Sequence, residues 1–155
     1  MAQIEAGAAA IGAGALEPGL QCLRRAIIDA DAHGDLSLRA RAGVTLGGAL
    51  VQAARGRDAE GSAALHEALK IGNDTAPQQG AAACRELGCV EFLLGRDDRV
   101  LTWFERAVPH AQGDAAERAR LATLQGSMEV AVNEGTPECE EADLRRSQPA
   151  EGPLF

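Results

Sequence analysis

Apolar residues between Leu87 and Val108 follow the spacing of two helices joined by a turn. In the first segment they recur at steps of four, three and four residues, one stripe of an α-helix, at Ala83, Leu87, Val90 and Leu94. The second segment places one apolar face at Leu101, Phe104 and Val108. Gly95-Arg96-Asp97 interrupts the pattern, and Asp97 is expected to cap the second helix. The pattern therefore predicts a helical hairpin.

The same hairpin recurs three times along the chain. Its turn glycines, Gly14, Gly56 and Gly95, lie 42 and 39 residues apart. Each copy ends in a large apolar residue and, three positions later, an alanine, which gives the pairs Leu23 and Ala26, Leu65 and Ala68, and Phe104 and Ala107. A glycine in each first helix is expected where its partner helix comes close, at Gly7, Gly47 and Gly88. Because one hairpin cannot bury its own apolar face, this period predicts stacked hairpins.

These residues resemble the tetratricopeptide repeat. The Leu87-Gly88 pair, the turn at Gly95 and the Phe104-x-x-Ala107 ending match that family's pattern. The family's usual aromatic residue in the first helix is replaced by Ala10, Leu50 and Glu91. The period exceeds the ~34 residues of the plain repeat. Long repeats rich in Ala and Arg are similar to those in the C-terminal half of large actinobacterial ATP-dependent regulators of the LuxR type.

The resemblance implies an all-α fold, a right-handed α-solenoid of stacked antiparallel helical hairpins. We expect one repeat domain over residues 1–146, with about three clear hairpins and a degenerate fourth, and a disordered tail over 147–155. The sequence predicts seven main helices, over residues 3–13, 17–32, 35–54, 58–71, 77–94, 97–108 and from 115 onward. Gly34 is expected to end the second helix, and either Asp35 or Ser37 to cap the third. Asp114 and Glu117 are expected to form a capping box on the seventh.

Composition and charge limit the class of partner. The 155 residues carry a formal charge of −8, whereas a duplex-binding domain normally presents a basic face, so we expect no direct binding of nucleic acid. No apolar run approaches the ~18–20 residues that a membrane span needs. The N-terminal residues lack the pattern of a secretory signal. A cytoplasmic protein without membrane contact is therefore expected.

Residues that carry catalysis or metal binding form no recognisable motif. Cys22, Cys84, Cys89 and Cys139 lack metal-ligand spacing and are expected to be free thiols. His66-Glu67 has no second histidine one helical turn away. We therefore expect no catalytic residue, no metal and no cofactor. The expected function is a non-catalytic protein-interaction or sensor module, a fragment or relative of a larger transcriptional or signalling regulator. A small stand-alone enzyme on a helical-repeat scaffold and a remnant reading frame without activity are the alternatives.

The resemblance also implies a binding surface, because the first helices of successive hairpins line a concave face in such arrays. It implies partner-binding residues at Arg41, Val44, Val51, Arg85, Phe92 and Arg120. The partner would be a protein or peptide segment with acidic residues between apolar ones, or the chain's own acidic tail. Arginine suits such a partner because its planar fork holds a carboxylate at two points. The alternative is that these arginines are solvated or paired with neighbours such as Glu86.

Overall fold

The computed structural model describes residues 1–54 and 56–134, with side chains as far as residue 130. Every regular element in this part of the chain is helical, as the pattern predicted, and none is a strand. The helices are α1 (Ala2–Gly12), α2 (Leu16–His33), α3 (Leu36–Ala53), α4 (Asp58–Asp74), α5 (Pro77–Leu93), α6 (Asp97–Ala107) and α7 (Ala115–Glu134). A short 3₁₀ helix, Val108–Ala111, follows α6.

Three helix ends have the capping residue that the sequence indicated. Gly34 ends α2 in the left-handed conformation, with φ of 67°, which glycine adopts without steric cost. Asp35 caps α3 by accepting a hydrogen bond from the Leu38 backbone N–H at 2.9 Å. Asp114 accepts from the Glu117 N–H at 3.0 Å and so caps α7. The Glu117 carboxylate, however, turns to an arginine of α5 instead of completing a capping box.

Two predicted helix ends were wrong. Asp97 is the first residue of α6, and the cap position belongs to Arg96, which makes no side-chain capping bond. Helix α4 continues through Gly72 to Asp74 instead of ending at Ile71. Gly72 lies where α4 crosses α5, since a methyl group on it would lie 2.5 Å from the Gly80 nitrogen. This glycine therefore permits close packing and does not terminate the helix.

The three hairpins share two features, a glycine in the turn and a glycine where the two helices cross. Each turn glycine has a positive φ, 85° at Gly14, 78° at Gly56 and 67° at Gly95, a conformation that other residues rarely adopt. Each first helix then meets its partner at a glycine. A Cβ added there would lie 2.9 Å from Leu23 Cγ at Gly7, 2.6 Å from Leu65 Cγ at Gly47 and 2.5 Å from Phe104 Cε1 at Gly88. The predicted close crossings are confirmed in all three hairpins.

The predicted apolar stripe of the third hairpin was partly wrong. Leu94, Leu101 and Val108 were assigned to it, but they are 46%, 39% and 51% exposed. Leu94 lies just past the last residue of α5, and Val108 begins the 3₁₀ helix, so neither continues a helical stripe. On α6 the buried residues are Val100, Phe104 and Ala107, so Phe104 is buried as predicted, while Val100 and Ala107 take the places expected for Leu101 and Val108.

Successive hairpins also contact one another through their first helices. Helix α1 contacts α3, and α3 contacts α5, while each helix from α1 to α5 contacts the helix that follows it in the chain. One buried cluster joins the first hairpin to α3 of the second and includes Ile4, Leu20, Leu23, Leu46 and Leu50. We call α1, α3 and α5 the inner helices below. Because α3 and α5 are in contact, the partner-binding residues predicted on these two helices lie on neighbouring helices.

The chain divides into two compact units, Met1–Leu121 and Ala122–Phe155. In the second unit the described part is helical, and Ser127 Oγ donates a hydrogen bond to the Thr123 carbonyl at 2.9 Å. The later part of the expected degenerate fourth hairpin, as far as residue 146, and the expected tail over 147–155 lie outside the described residues. The predicted boundary between domain and tail at 146 therefore stays a prediction.

Candidate partner-binding face

The apolar residues predicted to bind a partner lie on α3 and α5. Val44 and Val51 are half-buried on α3, two helical turns apart. Phe92 lies near the end of α5 and is 38% exposed, which is high for an aromatic side chain. Because α3 and α5 are in contact, these three side chains belong to adjoining inner helices.

Arg41 forms a weak ion pair with a residue of another helix. Its guanidinium lies 3.8 Å from the Glu5 carboxylate of α1, and the arginine side chain is 37% exposed. It also donates a hydrogen bond to the Met1 sulfur at 2.8 Å. At such exposure an ion pair contributes only ~0–1 kcal/mol, so an incoming carboxylate can replace Glu5 at little cost.

Arg85 is largely buried and is paired with two carboxylates, so its guanidinium is less available to a partner than that of Arg41. It donates to the Glu117 carboxylate of α7 at 2.6 Å and to the Glu86 carboxylate at 2.5 Å. Its side chain is 17% exposed, that of Glu86 12% and that of Glu117 3%. Burial by itself lowers the pKa of Arg85, but the hydrogen bond to Glu117 and the charges of both carboxylates outweigh it, and that pKa is raised. The guanidinium is therefore fully charged and already satisfied.

The bonds around Arg85 continue onto the neighbouring helices. Glu86 accepts a hydrogen bond from Gln52 Nε2 of α3 at 3.0 Å. Glu117 also accepts one from Arg120 at 3.2 Å, although the Arg120 side chain is 63% exposed. We call these five residues, Gln52, Arg85, Glu86, Glu117 and Arg120, the inner ion-pair network. It links α3, α5 and the start of α7. Within it, the carboxylates of Glu86 and Glu117 neutralise the positive charge of Arg85.

All three arginines predicted to bind a partner therefore form ion pairs with glutamates of this chain. The alternative interpretation, pairing with Glu86, describes Arg85, while Arg41 and Arg120 remain accessible to solvent. Sequence reasoning missed Glu117, because its position three residues after a capping aspartate favoured a local role. It also missed Gln52, for which the sequence offers no signal. The binding roles of the six predicted residues stay a prediction.

A second feature adjoins this face and was not predicted. A cleft of about 270 Å³ lies between the end of α5 and the turn before α4, and we call it the turn cleft. Its lining is Val51, Gln52, Gly56, Asp58, Val90, Leu93 and Leu94. Leu93 and Leu94 are 62% and 46% exposed, so this wall of the cleft is apolar surface in contact with water. The run of apolar residues at the end of α5 was a sequence signal for this cleft. It was overlooked because Leu94 was assigned to the apolar stripe of the third hairpin.

On the opposite side of the third hairpin, Trp103 of α6 lies among polar partners. The Arg106 guanidinium stacks over the indole ring at 4.4 Å from its centroid. The His66 ring of α4 approaches edge-on, with 5.7 Å between ring centroids. We call these three residues the outer aromatic cluster.

Thiols and acids in the described part of the chain offer no metal site. Cys22, Cys84 and Cys89 are free, and burial raises the pKa of the Cys84 and Cys89 thiols. No three side chains of His, Cys, Asp or Glu converge to hold a metal ion within residues 1–54 and 56–130. Cys139 lies outside the described residues. None of the described helices combines the length and apolar character that crossing a bilayer requires.

Comparison with protein-family models, curated proteins and solved structures gives no match. Function is therefore inferred from this chain's own residues.

Proposed function

We propose that this chain is a non-catalytic protein-interaction or sensor module, built as a right-handed α-solenoid of tetratricopeptide-like hairpins. The observation that carries the proposal is the repeated contact between a helical glycine and a large apolar residue in three consecutive hairpins. Similar hairpins whose first helices touch produce an extended face instead of one closed core, and such faces bind other chains. The sequence pattern further supports a fragment or relative of a larger regulator of the LuxR type.

The binding face we propose consists of Val44, Val51 and Phe92, with Arg41 and Arg120 at its edges. The apolar side chains supply most of the affinity, because exposed ion pairs contribute only ~0–1 kcal/mol each. Arg41 and Arg120 add selectivity for a segment that carries carboxylates beside its apolar residues. Arg85 has a structural role in this proposal, because its ion pair with Glu117 joins α5 to the start of α7, whereas the pair with Glu86 lies within α5.

The experiment starts from the immobilised full chain, incubated with an extract of the native host, followed by identification of the retained protein and mapping of its bound segment. Titration of that segment against Phe92→Ser and Arg41→Glu should show binding weakened at least about tenfold for the first, since ~1.4 kcal/mol is one factor of ten. The second variant should weaken binding less, and added salt should have only a modest effect.

Matched controls come from α2, which is not an inner helix. Ile28 is 58% exposed and Arg25 has a side chain 70% exposed, so Ile28→Ser replaces an exposed apolar side chain by serine and Arg25→Glu repeats the charge reversal away from the proposed face. Both should bind like wild type. If Phe92→Ser and Arg41→Glu also bind like wild type while folded, the inner face is not the binding site, and the outer aromatic cluster around Trp103 becomes the surface to examine.

A further inference from the structure

A larger cavity lies where the start of α3, the connection from α4 to α5 and the connection from α6 to α7 meet. Its volume of about 450 Å³ is within the ~300–1,000 Å³ of small-molecule pockets, and we call it the junction pocket. Six of its ten lining residues have polar side chains, and none of the ten has a carboxylate, an ammonium or a guanidinium group. The polar six are Ser37, Thr75, Gln78, Gln79, His110 and Gln112.

The walls of the junction pocket are rigid. Pro77 is the first residue of α5 and Pro109 lies in the 3₁₀ helix, and each proline ring fixes its own backbone φ. These two elements also pack closely, since a Cβ added at Gly80 of α5 would lie 3.4 Å from the His110 ring. The pocket is therefore formed before a ligand enters it.

Most polar side chains of the junction pocket have no partner within the chain. Its three glutamines and His110 make no hydrogen bond to any described residue, although Gln79 and His110 are half-buried. Three glutamines elsewhere each donate to a carboxylate at 2.9 to 3.3 Å, namely Gln3, Gln52 and Gln125. The pocket glutamines and His110 are therefore available to a ligand without the loss of an internal hydrogen bond.

Charges around the junction pocket favour neither an anion nor a cation. The end of α4, with its partial negative charge, lies beside the starts of α3 and α5, which carry partial positive charge. Arg118 is outside the lining and donates to the backbone carbonyls of Ala111 and Gln112. An adjoining cleft shares Thr75 and contains two cations and two acids, Arg39, Lys70, Glu67 and Asp74. A phosphate finds no cation in the lining, and the charge of −8 on the whole chain opposes its approach.

The hydrogen-bonding groups indicate the class of neutral ligand. A carboxamide presents an N–H donor beside a C=O acceptor, and a neutral imidazole has one donor and one acceptor. The matching ligand edge has an acceptor beside a donor, as in the edge of adenine that glutamine binds at two points. The faces of such a ring can lie against Pro77, Pro109 and the His110 imidazole.

We propose that the junction pocket binds a small, neutral heterocycle of the nucleobase type through the carboxamides of Gln78, Gln79 and Gln112 and the imidazole of His110. This inference rests on the sensor role within the proposed function and names the class of ligand that is sensed. The ligand is a free small molecule, because the lining offers nothing that binds a phosphate backbone.

The test titrates adenine, hypoxanthine, cytosine and uracil separately into the full chain labelled with ¹⁵N, and follows the side-chain amide signals by NMR. At least one base should bind with a Kd of about 1 mM or tighter and shift the pocket amides of Gln78, Gln79 and Gln112. The amides of Gln3, Gln52 and Gln125 serve as internal controls and should stay in place. If no base shifts the pocket amides, or if the control amides shift equally, the proposal is overturned.

A second comparison tests the preference for a neutral ligand. The nucleoside of the base that binds best and the corresponding 5′-monophosphate differ only in the phosphate. The nucleoside should bind more tightly, because the lining contains no cationic side chain for the phosphate. Equal or tighter binding of the monophosphate contradicts the proposed class of ligand.

Variants test the pocket residues. Gln79→Met and His110→Phe keep the size of each side chain but remove its hydrogen-bonding groups, and each should weaken the base about three- to tenfold. Gln21→Met makes the first change at an exposed glutamine of α2 outside the pocket and should bind like wild type. Unchanged binding by Gln79→Met and His110→Phe, with both folded by circular dichroism, rejects the pocket. If the captured partner protein still depends on Phe92 in that case, the proposed interaction role stands and only the small-molecule site is wrong.

Discussion

Adding one methyl group at Gly88 probes the contact that closes the third hairpin. A Cβ at this position would lie 2.5 Å from Phe104 Cε1 and 2.8 Å from Cδ1, well inside van der Waals contact. The Phe104 ring is 1% exposed, so it has no open space into which it can withdraw. Gly88→Ala is therefore expected to force apart α5 and α6.

Two opposing contributions set the change in the free energy of unfolding that Gly88→Ala causes. Overpacking a filled core costs about 1–3 kcal/mol. Replacing glycine by alanine inside a helix returns about 0.5–1 kcal/mol, so the single variant can lose little net stability. The gain from replacing a helical glycine cancels when the effect of Gly88→Ala on stability is compared between the wild type and a variant that lacks the Phe104 ring. In a Phe104→Ala background, which itself costs about 3–5 kcal/mol, the clash is absent and Gly88→Ala should be stabilising.

The assay is urea unfolding of wild type, Gly88→Ala, Phe104→Ala and the double variant, followed by the fluorescence of the single tryptophan, Trp103, and by circular dichroism. We expect a coupling of about 1–3 kcal/mol between the two positions. The control is Gly126→Ala, at a helical glycine with nothing within 4 Å, which should gain about 0.5–1 kcal/mol. The reasoning fails if Gly88→Ala has the same effect in both backgrounds.

Four further substitutions test other parts of the structure by urea unfolding. Asp35→Ala removes the cap on α3 and should cost about 0.5–2 kcal/mol, and an unchanged midpoint would show that the cap contributes nothing. Glu117→Gln weakens a nearly buried ion pair and should cost about 1.5–3 kcal/mol, whereas Arg120→Gln, at the exposed end of the same network, should cost at most ~1 kcal/mol. An equal loss in both would contradict the ranking by burial. The hydrogen bond from Arg24 is the largest cause that lowers the pKa of Glu60 from its ordinary value of 4.5, so this pair stabilises the fold above that pH and is lost as pH falls through the folded pKa. Glu60→Gln should therefore flatten stability against pH in the acid range, and an unaltered acid profile would exclude the pair as a contributor.

The hairpin architecture could be predicted because short-range rules determine it. Turn glycines at 14, 56 and 95 and large apolar residues at 23, 65 and 104 repeat at nearly constant spacing, and each has one structural explanation. A glycine in a helix is unfavourable by itself, so its recurrence at 7, 47 and 88 indicated a close contact. The predicted end of the fourth helix at residue 71 left Gly72 outside that helix, whereas Gly72 lies within α4 and marks its crossing with α5.

The binding face could be predicted only in part, because periodicity assigns a residue to a helix face but does not identify its ionic partner. Arg85 and Glu117 are 32 residues apart in the chain, and only the packing of the start of α7 beside α5 brings them together. The turn cleft likewise depends on how two hairpins meet. Leu94 has the spacing of a core residue, yet the helix ends at Leu93 and its side chain leaves the stripe.

The most direct test of the account is whether the three hairpins share one packing contact in solution. In a nuclear Overhauser spectrum of the labelled chain, the α protons of Gly7, Gly47 and Gly88 should give cross-peaks to Leu23 methyls, Leu65 methyls and Phe104 ring protons respectively. The account predicts all three cross-peaks together. Absence of any one of them, or cross-peaks to a neighbouring position on the partner helix instead, would contradict the repeated hairpin on which the proposed binding face depends.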